Sequence, residues 1–308
     1  MVEESETFNG SWPYQAQYFA EHGFRQHYVD EGSKLAAETF VCVHGEPTWG
    51  YIYRNFIPRL SEIGRVVVPD HMGFGKSETP QDREYSVEEH CDNLDALLLS
   101  LDLHDITLVM QDWGGPIGTN FAFRHPDRIK RIFYIDSIPR VGIPSGVDMA
   151  ALAENGNTPW AEFFTSDEFE PVMSHLSRNI LSVLKLVGFV NNQVINDDWI
   201  RAYASPFPTT ESCKGAKAFP LNTINPESWS YLEAAMKKPG VIEALRAKPA
   251  MMVMCDKDRN FPEVLVKGML REIWPDAPFI MLLNVGHYAQ EDAPETLVAM
   301  IEQFIGTH

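Results

Sequence analysis

Three stretches of the chain combine residue types able to do covalent chemistry. The first is Ile106-Thr107-Leu108-Val109-Met110-Gln111-Asp112-Trp113-Gly114-Gly115-Pro116, an apolar strand-like run, a polar turn and a glycine-flanked helix start. In such a strand-turn-helix elbow the nucleophile occupies a strained turn, small neighbours let the chain pack, and backbone N–H groups of the helix start face the site. Asp112 stands where a serine would. A carboxylate there is already ionised at neutral pH, attacks carbon without an activating base, and leaves an ester that water can cleave. Met110 departs from the elbow pattern, which has glycine at that place, and Asp112 equally suits a plain helix N-cap. The second stretch is Val41-Cys42-Val43-His44-Gly45-Glu46-Pro47-Thr48-Trp49, and the third is Asn284-Val285-Gly286-His287-Tyr288-Ala289-Gln290-Glu291. Each follows an apolar run, so each puts polar groups at a strand end. A nucleophile, an acid and a histidine in that chain order form a hydrolytic triad. Asp258 supplies the acid, with Asp136 ranked second and Asp256 placed to hold the turn.

The elements that must position these groups are visible as short apolar runs separated by helical patterns. Phe24 to Asp30, Thr39 to His44, Arg65 to Pro69, Ile106 to Met110, Arg131 to Ile135, Ala250 to Cys255 and Phe279 to Leu283 read as strands. Most are continuous rather than alternating, as expected of strands covered on both faces. Ser86-Val87-Glu88-Glu89 is a capping box that opens a helix with Cys91, Leu94, Leu98 and Leu101 on its apolar stripe. Buried strands alternating with helices predict an α/β doubly wound, mainly parallel sheet, with its ligand site beyond the carboxyl ends of the strands. From 141 to 247 the alternation stops, and proline and glycine punctuate several helical stripes. This region reads as a helical cap, or lid, inserted into a main domain of 1–140 and 248–308.

Composition bounds the function classes. Forty-three acidic against 25 basic residues give 308 residues a net charge of −18, which disfavours nucleic acid and anionic membrane surfaces. No basic and apolar leader and no membrane-spanning run is evident. Cys42, Cys91, Cys213 and Cys255 lack metal or redox spacing and read as reduced core residues, so a cytoplasmic location is expected. No ligand spacing implies a metal or an organic cofactor.

The motifs His44-Gly45-Glu46-Pro47-Thr48-Trp49, Pro69-Asp70-His71-Met72-Gly73-Phe74-Gly75-Lys76-Ser77, Gln111-Asp112-Trp113-Gly114-Gly115, Tyr203-Ala204-Ser205-Pro206-Phe207-Pro208, Lys257-Asp258 and Gly286-His287-Tyr288-Ala289-Gln290-Glu291 follow one another in order within a resemblance that runs from about residue 20 to the end. Together they resemble the haloalkane dehalogenases of the α/β-hydrolase superfamily. The resemblance implies an α/β-hydrolase fold and hydrolysis of a small apolar halogenated substrate to alcohol and halide. Asp112 would displace the halide and form an alkyl ester. His287, held by Asp258, would activate water, and the backbone N–H groups of Glu46 and Trp113 would form the oxyanion hole. The Trp113 indole, a donor with no acceptor, would bind the departing halide.

The resemblance also asks for a second halide donor. Glu46 marks the branch that takes it from a lid tryptophan, and counting back from Tyr203 places that position near Asn191. The Asn191 amide is assigned there, with Trp160, Trp199 and Trp229 as alternatives. Two other functions fit the residues. An epoxide hydrolase would use the same triad and protonate its substrate from Tyr203 or Tyr231. A non-catalytic receptor would close the lid on an apolar ligand.

Overall fold

The runs of Val, Ile, Leu, Met and Phe become strands because β-branched and large apolar side chains pack well on a pleated surface buried on both faces. In the computed structural model, which describes residues 1–140, 143 and 158–308, they form one eight-stranded sheet. The strands are β1 (Gln17–Phe19), β2 (Gln26–Glu31), β3 (Thr39–Val43), β4 (Arg65–Pro69), β5 (Ile106–Asp112), β6 (Ile129–Ser137), β7 (Ala250–Cys255) and β8 (Phe279–Leu282). Their order across the sheet is β1-β2-β4-β3-β5-β6-β7-β8. β1 with β2 and β2 with β4 pair antiparallel, and every other pairing is parallel. Every residue of β5 is buried. β1 has no counterpart in the sequence pattern, since its three half-buried residues offer no apolar run.

Helix Val87–Ser100 starts as the capping box predicts on one side only. Ser86 Oγ accepts from the Glu89 N–H at 3.2 Å, while the Glu89 carboxylate pairs with Arg83 instead of returning to the cap. Between β6 and β7 the described residues contain helices and no strand, from Pro159–Phe164 through Leu176–Val187 and Asp197–Ala204 to Val241–Arg246. The expected lid boundary at 141 and the stretch 144–157 lie outside the described residues.

A glycine-rich connection follows β4. Asp70, after β4, is fully buried and receives the Gly50 N–H at 2.8 Å on Oδ1 and the Lys76 N–H at 2.8 Å on Oδ2, which also lies 2.8 Å from His27 Nδ1. The Pro69 to Ser77 motif thus folds around one carboxylate. A Cβ on Gly75 would lie 2.1 Å from Asp70 Oδ2, so only glycine fits that turn. All four cysteines are buried and free. Among the described residues no helix is long and apolar enough to cross a membrane.

Candidate active site

Asp112 ends β5 with φ of 49°, a left-handed conformation that a non-glycine residue adopts only when its surroundings enforce it. Three contacts enforce it here. The Asp112 carbonyl accepts from Ser137 Oγ at 2.6 Å, and helix Gly114–Arg124 starts two residues later. A Cβ on Gly115 would fall 2.0 Å from that Ser137 oxygen, and one on Gly45 would fall 2.3 Å from Asp112 Oδ1. The departure at Met110 is absorbed one helical turn on, because a Cβ on Gly118 would lie 2.4 Å from Met110 Sδ. The space usually left by a small residue before the nucleophile is left instead by Gly118 behind it.

The Asp112 carboxylate divides its two oxygens. Oδ1 accepts from the Glu46 backbone N–H at 2.8 Å. Oδ2 lies 3.3 Å from His287 Nε2 and 3.3 Å from Asn260 Nδ2. His287 is fully buried, and its Nδ1 lies 2.9 Å from Asp136 Oδ2 and 3.0 Å from Asp258 Oδ1. Both candidate acids therefore meet the same ring nitrogen.

They arrive by different routes. In the β5–β6 ladder Gln111 pairs with Ile135 and Asp112 with Ser137, so Asp136 is the bulged residue, with φ of 41°. A bulge re-aims a side chain, and the Asp136 carboxyl reaches both His287 and the Cys255 N–H, the latter at 3.0 Å. Asp258 sits in the loop after β7 and also accepts from the Asn260 N–H at 3.0 Å and the Phe261 N–H at 2.5 Å. Burial and then the charge of Asp258 push the Asp136 carboxyl well above the usual carboxylate range. Burial alone would depress the His287 imidazolium, but hydrogen bonds to Asp112, Asp136 and Asp258 outweigh it and hold that group well above its ordinary value. Asp136, Asp258 and His287 bring ligand-type atoms within 4.8 Å of one another. Their spacing about Nδ1 is that of hydrogen bonds sharing a ring proton.

Glu46 contributes through its backbone, and its side chain is a separate feature. The carboxyl is buried, one oxygen has no hydrogen-bond partner, and burial followed by the nearby Asp112 charge raises it well above the usual range.

A cavity of about 270 Å³ opens over Asp112. Its walls are mostly apolar, with Trp113, Ile138, Phe261 and Leu265 from the sheet side and Trp160, Phe164 and Trp229 from the helices between β6 and β7. Trp113 stacks on Phe219 with ring centroids 5.1 Å apart. Asn191 does not reach this cavity. It caps a short 3₁₀ turn, with its side-chain oxygen on the Gln193 N–H at 3.0 Å and its amide donating to the Glu291 carbonyl at 3.2 Å. The position counted back from Tyr203 lands on this turn, away from the residues that line the cavity. Trp160 and Trp229, from the helices between β6 and β7, both line the cavity.

The remaining candidates are committed elsewhere. Trp199 Nε1 donates to Glu291 Oε2 at 3.1 Å, Tyr203 donates to Glu291 Oε1 at 2.5 Å, and Arg54 pairs with both oxygens of the same buried carboxylate. Trp229 lines the cavity, but its N–H donates to the Thr223 carbonyl at 2.7 Å. The Tyr231 hydroxyl lies at Asp92 and Arg124. Neither tyrosine that an epoxide hydrolase would need lines the cavity.

Two residues at the site escaped the sequence reading. Gln111 Nε2 lies 3.0 Å from His287 Nε2 and donates to the His287 carbonyl at 3.2 Å. Asn260 lines the cavity two residues beyond Asp258. The signal for both was polarity next to a recognised site residue at a strand end.

Residues 38–294 match the family model described as alpha/beta hydrolase fold. The chain is 33% identical over 291 residues to a haloalkane dehalogenase of Psychrobacter cryohalolentis, covering 91% of this chain and 87% of that protein. It is 28% identical over 302 residues to a cis-3-alkyl-4-alkyloxetan-2-one decarboxylase of Shewanella oneidensis, covering 95% and 89%. A solved haloalkane dehalogenase from Paraglaciecola agarilytica superposes with a TM-score of 0.75 at 27% identity, covering 100% of this chain and 98% of that one. Fold, order of motifs and overall similarity agree: the chain belongs to the alpha/beta hydrolase fold family and, within it, to the haloalkane dehalogenases.

Proposed function

We propose that the protein hydrolyses haloalkanes to alcohol and halide through an ester on Asp112. Asp112 Oδ2 attacks the carbon in line with the carbon–halogen bond, and the halide leaves with the bonding pair. The indole N–H groups of Trp113 and Trp160 receive the halide in a cavity otherwise apolar, where a weak donor that keeps its proton suits an anion. Water then loses a proton to His287 Nε2 and attacks the ester carbonyl. Negative charge gathers on Oδ1, where the Glu46 and Trp113 N–H groups stabilise it. The tetrahedral species collapses, His287 returns the proton to the departing alkoxide, and the water's second proton, left on the Asp112 carboxyl, passes to solvent to regenerate the carboxylate. Asp258 and Asp136 together hold the ring proton on Nδ1 and stabilise the imidazolium.

Charge balance times the base. In the free enzyme Asp112 helps keep His287 protonated. Ester formation abolishes that charge, so the imidazole gives up its proton at the stage that needs a base.

The observation that carries this reading is the divided Asp112 carboxylate, with Oδ1 on the Glu46 N–H at 2.8 Å and Oδ2 facing His287 and the cavity. The test is the His287→Phe variant with 1-bromobutane. It should release one bromide per protein in a burst, stop, and carry the butyl mass on the peptide containing Asp112. Continued turnover, or product without an adduct, refutes the scheme, and Asp112→Ala should release nothing.

The Asn260 amide beside Oδ2 and the Shewanella relative support a second reading, a β-lactone substrate. Asp112 would open the ring at the carbon bearing the ring oxygen, freeing a carboxylate. Loss of CO₂ would form the alkene as the Asp112 carboxylate departs. Neither water nor base takes part, so His287→Phe would keep turning over an oxetanone while stalling on bromobutane.

A further inference from the structure

Asn260 is held as firmly as the triad residues. Its N–H donates to Asp258 Oδ1 at 3.0 Å and the next N–H, of Phe261, to Asp258 Oδ2 at 2.5 Å, so the carboxylate that meets His287 also fixes this loop. Its side chain lines the cavity, and the atom at 3.3 Å from Asp112 Oδ2 must be the amide nitrogen, because a carboxylate only accepts. An in-line displacement sets carbon and halogen in a row leading out from Oδ2, and a donor beside Oδ2 flanks that row. As the carbon–oxygen bond forms, Oδ2 loses negative charge and the hydrogen bond from Asn260 weakens. As the carbon–halogen bond breaks, the charge reappears on the halogen, within reach of the second N–H of the same amide.

Resting on the dehalogenase reading above, we propose that Asn260 is a catalytic residue of the displacement step. Its amide donates to the nucleophilic oxygen in the resting site and to the leaving group in the transition state. The contribution is largest for the leaving group that carries most charge and is hardest to expel. Chloride therefore depends on Asn260 more than iodide does. A well-placed donor is worth two to three powers of ten in rate, and a flanking one at this distance about one.

The test compares wild type with Asn260→Leu and Asn260→Asp on 1-chloro-, 1-bromo- and 1-iodobutane by rapid quench, resolving the halide burst from ester hydrolysis. Burst amplitude counts competent sites, so partial misfolding does not blur the rates. In Asn260→Leu the chloride burst should slow roughly tenfold and the iodide burst less than threefold, while any change in hydrolysis of the common butyl ester, whose Oδ2 departs beside the same amide, should be identical for all three substrates. Asn260→Asp, isosteric but anionic, should slow the chloride burst further. Bromide quenching of tryptophan fluorescence should need more bromide in both variants. Equal slowing for all three halides, an effect confined to ester hydrolysis, or unchanged rates overturns the assignment. A wild type that releases no halide removes the dehalogenase reading itself, and this role with it. A wild type that bursts normally while the variants keep its halide ratios refutes Asn260 alone.

Discussion

Replacing Asp112 by Asn imitates, without chemistry, the loss of charge that the proposed ester formation would bring. Asp112 Oδ2 lies 3.3 Å from His287 Nε2, and both side chains are nearly inaccessible to solvent. At that distance a unit charge pair is worth about 5 kcal/mol at an effective dielectric constant near 20 and about 1 kcal/mol if water screened it fully. Removing it should weaken proton binding by His287 by an amount between these bounds. The amide adds to the effect in the same direction. With its oxygen on the Glu46 N–H, its nitrogen faces Nε2 and favours the unprotonated ring. The imidazole midpoint, followed by NMR of labelled His287, should therefore be lower in Asp112→Asn than in wild type, where three carboxylates hold it above its ordinary value. Intact mass must confirm that the amide survives, since water activated by His287 could hydrolyse it. The sign carries over to kinetics. Only the neutral ring accepts a proton, so single-turnover ester hydrolysis should rise with pH to a plateau, its midpoint matching the variant rather than the resting wild type. A midpoint unchanged or raised in the variant refutes the charge-timed base.

Trp113→Phe and Trp160→Phe should each weaken bromide binding, measured by fluorescence quenching, whereas Asn191→Ala should leave it within twofold because that amide is spent on the Glu291 carbonyl; the reverse ranking would put the anion at the Asn191 turn. Gly118→Ala should destabilise the protein by about 1–3 kcal/mol in urea denaturation, since its Cβ would press on Met110 Sδ, and in a Met110→Ala background the same change should be neutral or stabilising. No coupling between the two sites would show that the elbow makes its room elsewhere. Arg54→Met should cost about 3–5 kcal/mol, because the Glu291 carboxylate would stay buried with only Trp199, Tyr203 and no cation; the double change with Glu291→Gln should recover part of it, and a wild-type denaturation midpoint in Arg54→Met would refute the buried pair.

The strands were legible because a strand buried on both faces leaves little choice of residue. The β1 edge strand was not, since three half-buried residues carry no such constraint. Asp112 and His287 were legible for a local reason: glycines forced by close approach surround the first, and the second follows the last strand. The acid was not decided by sequence. Asp136 and Asp258 both follow strands, and the structure brings both to His287 Nδ1, one by a bulge and one by a loop. Asn191, the expected second halide donor, lies away from the cavity, because which helix residues meet a cavity depends on packing, not on counting.

By itself, then, the sequence determined the sheet, the chain order of Asp112, Asp258 and His287 at strand ends, and the residue at the elbow, all matters of local periodicity and backbone conformation. Only tertiary structure decided which side chains close on the cavity. Trp160 and Asn260 line the same cavity as Asp112 from segments about 50 and 150 residues away, and Tyr203 is turned from it by a buried glutamate. Such contacts arise when separate elements pack, and no spacing along one of them records where another will lie.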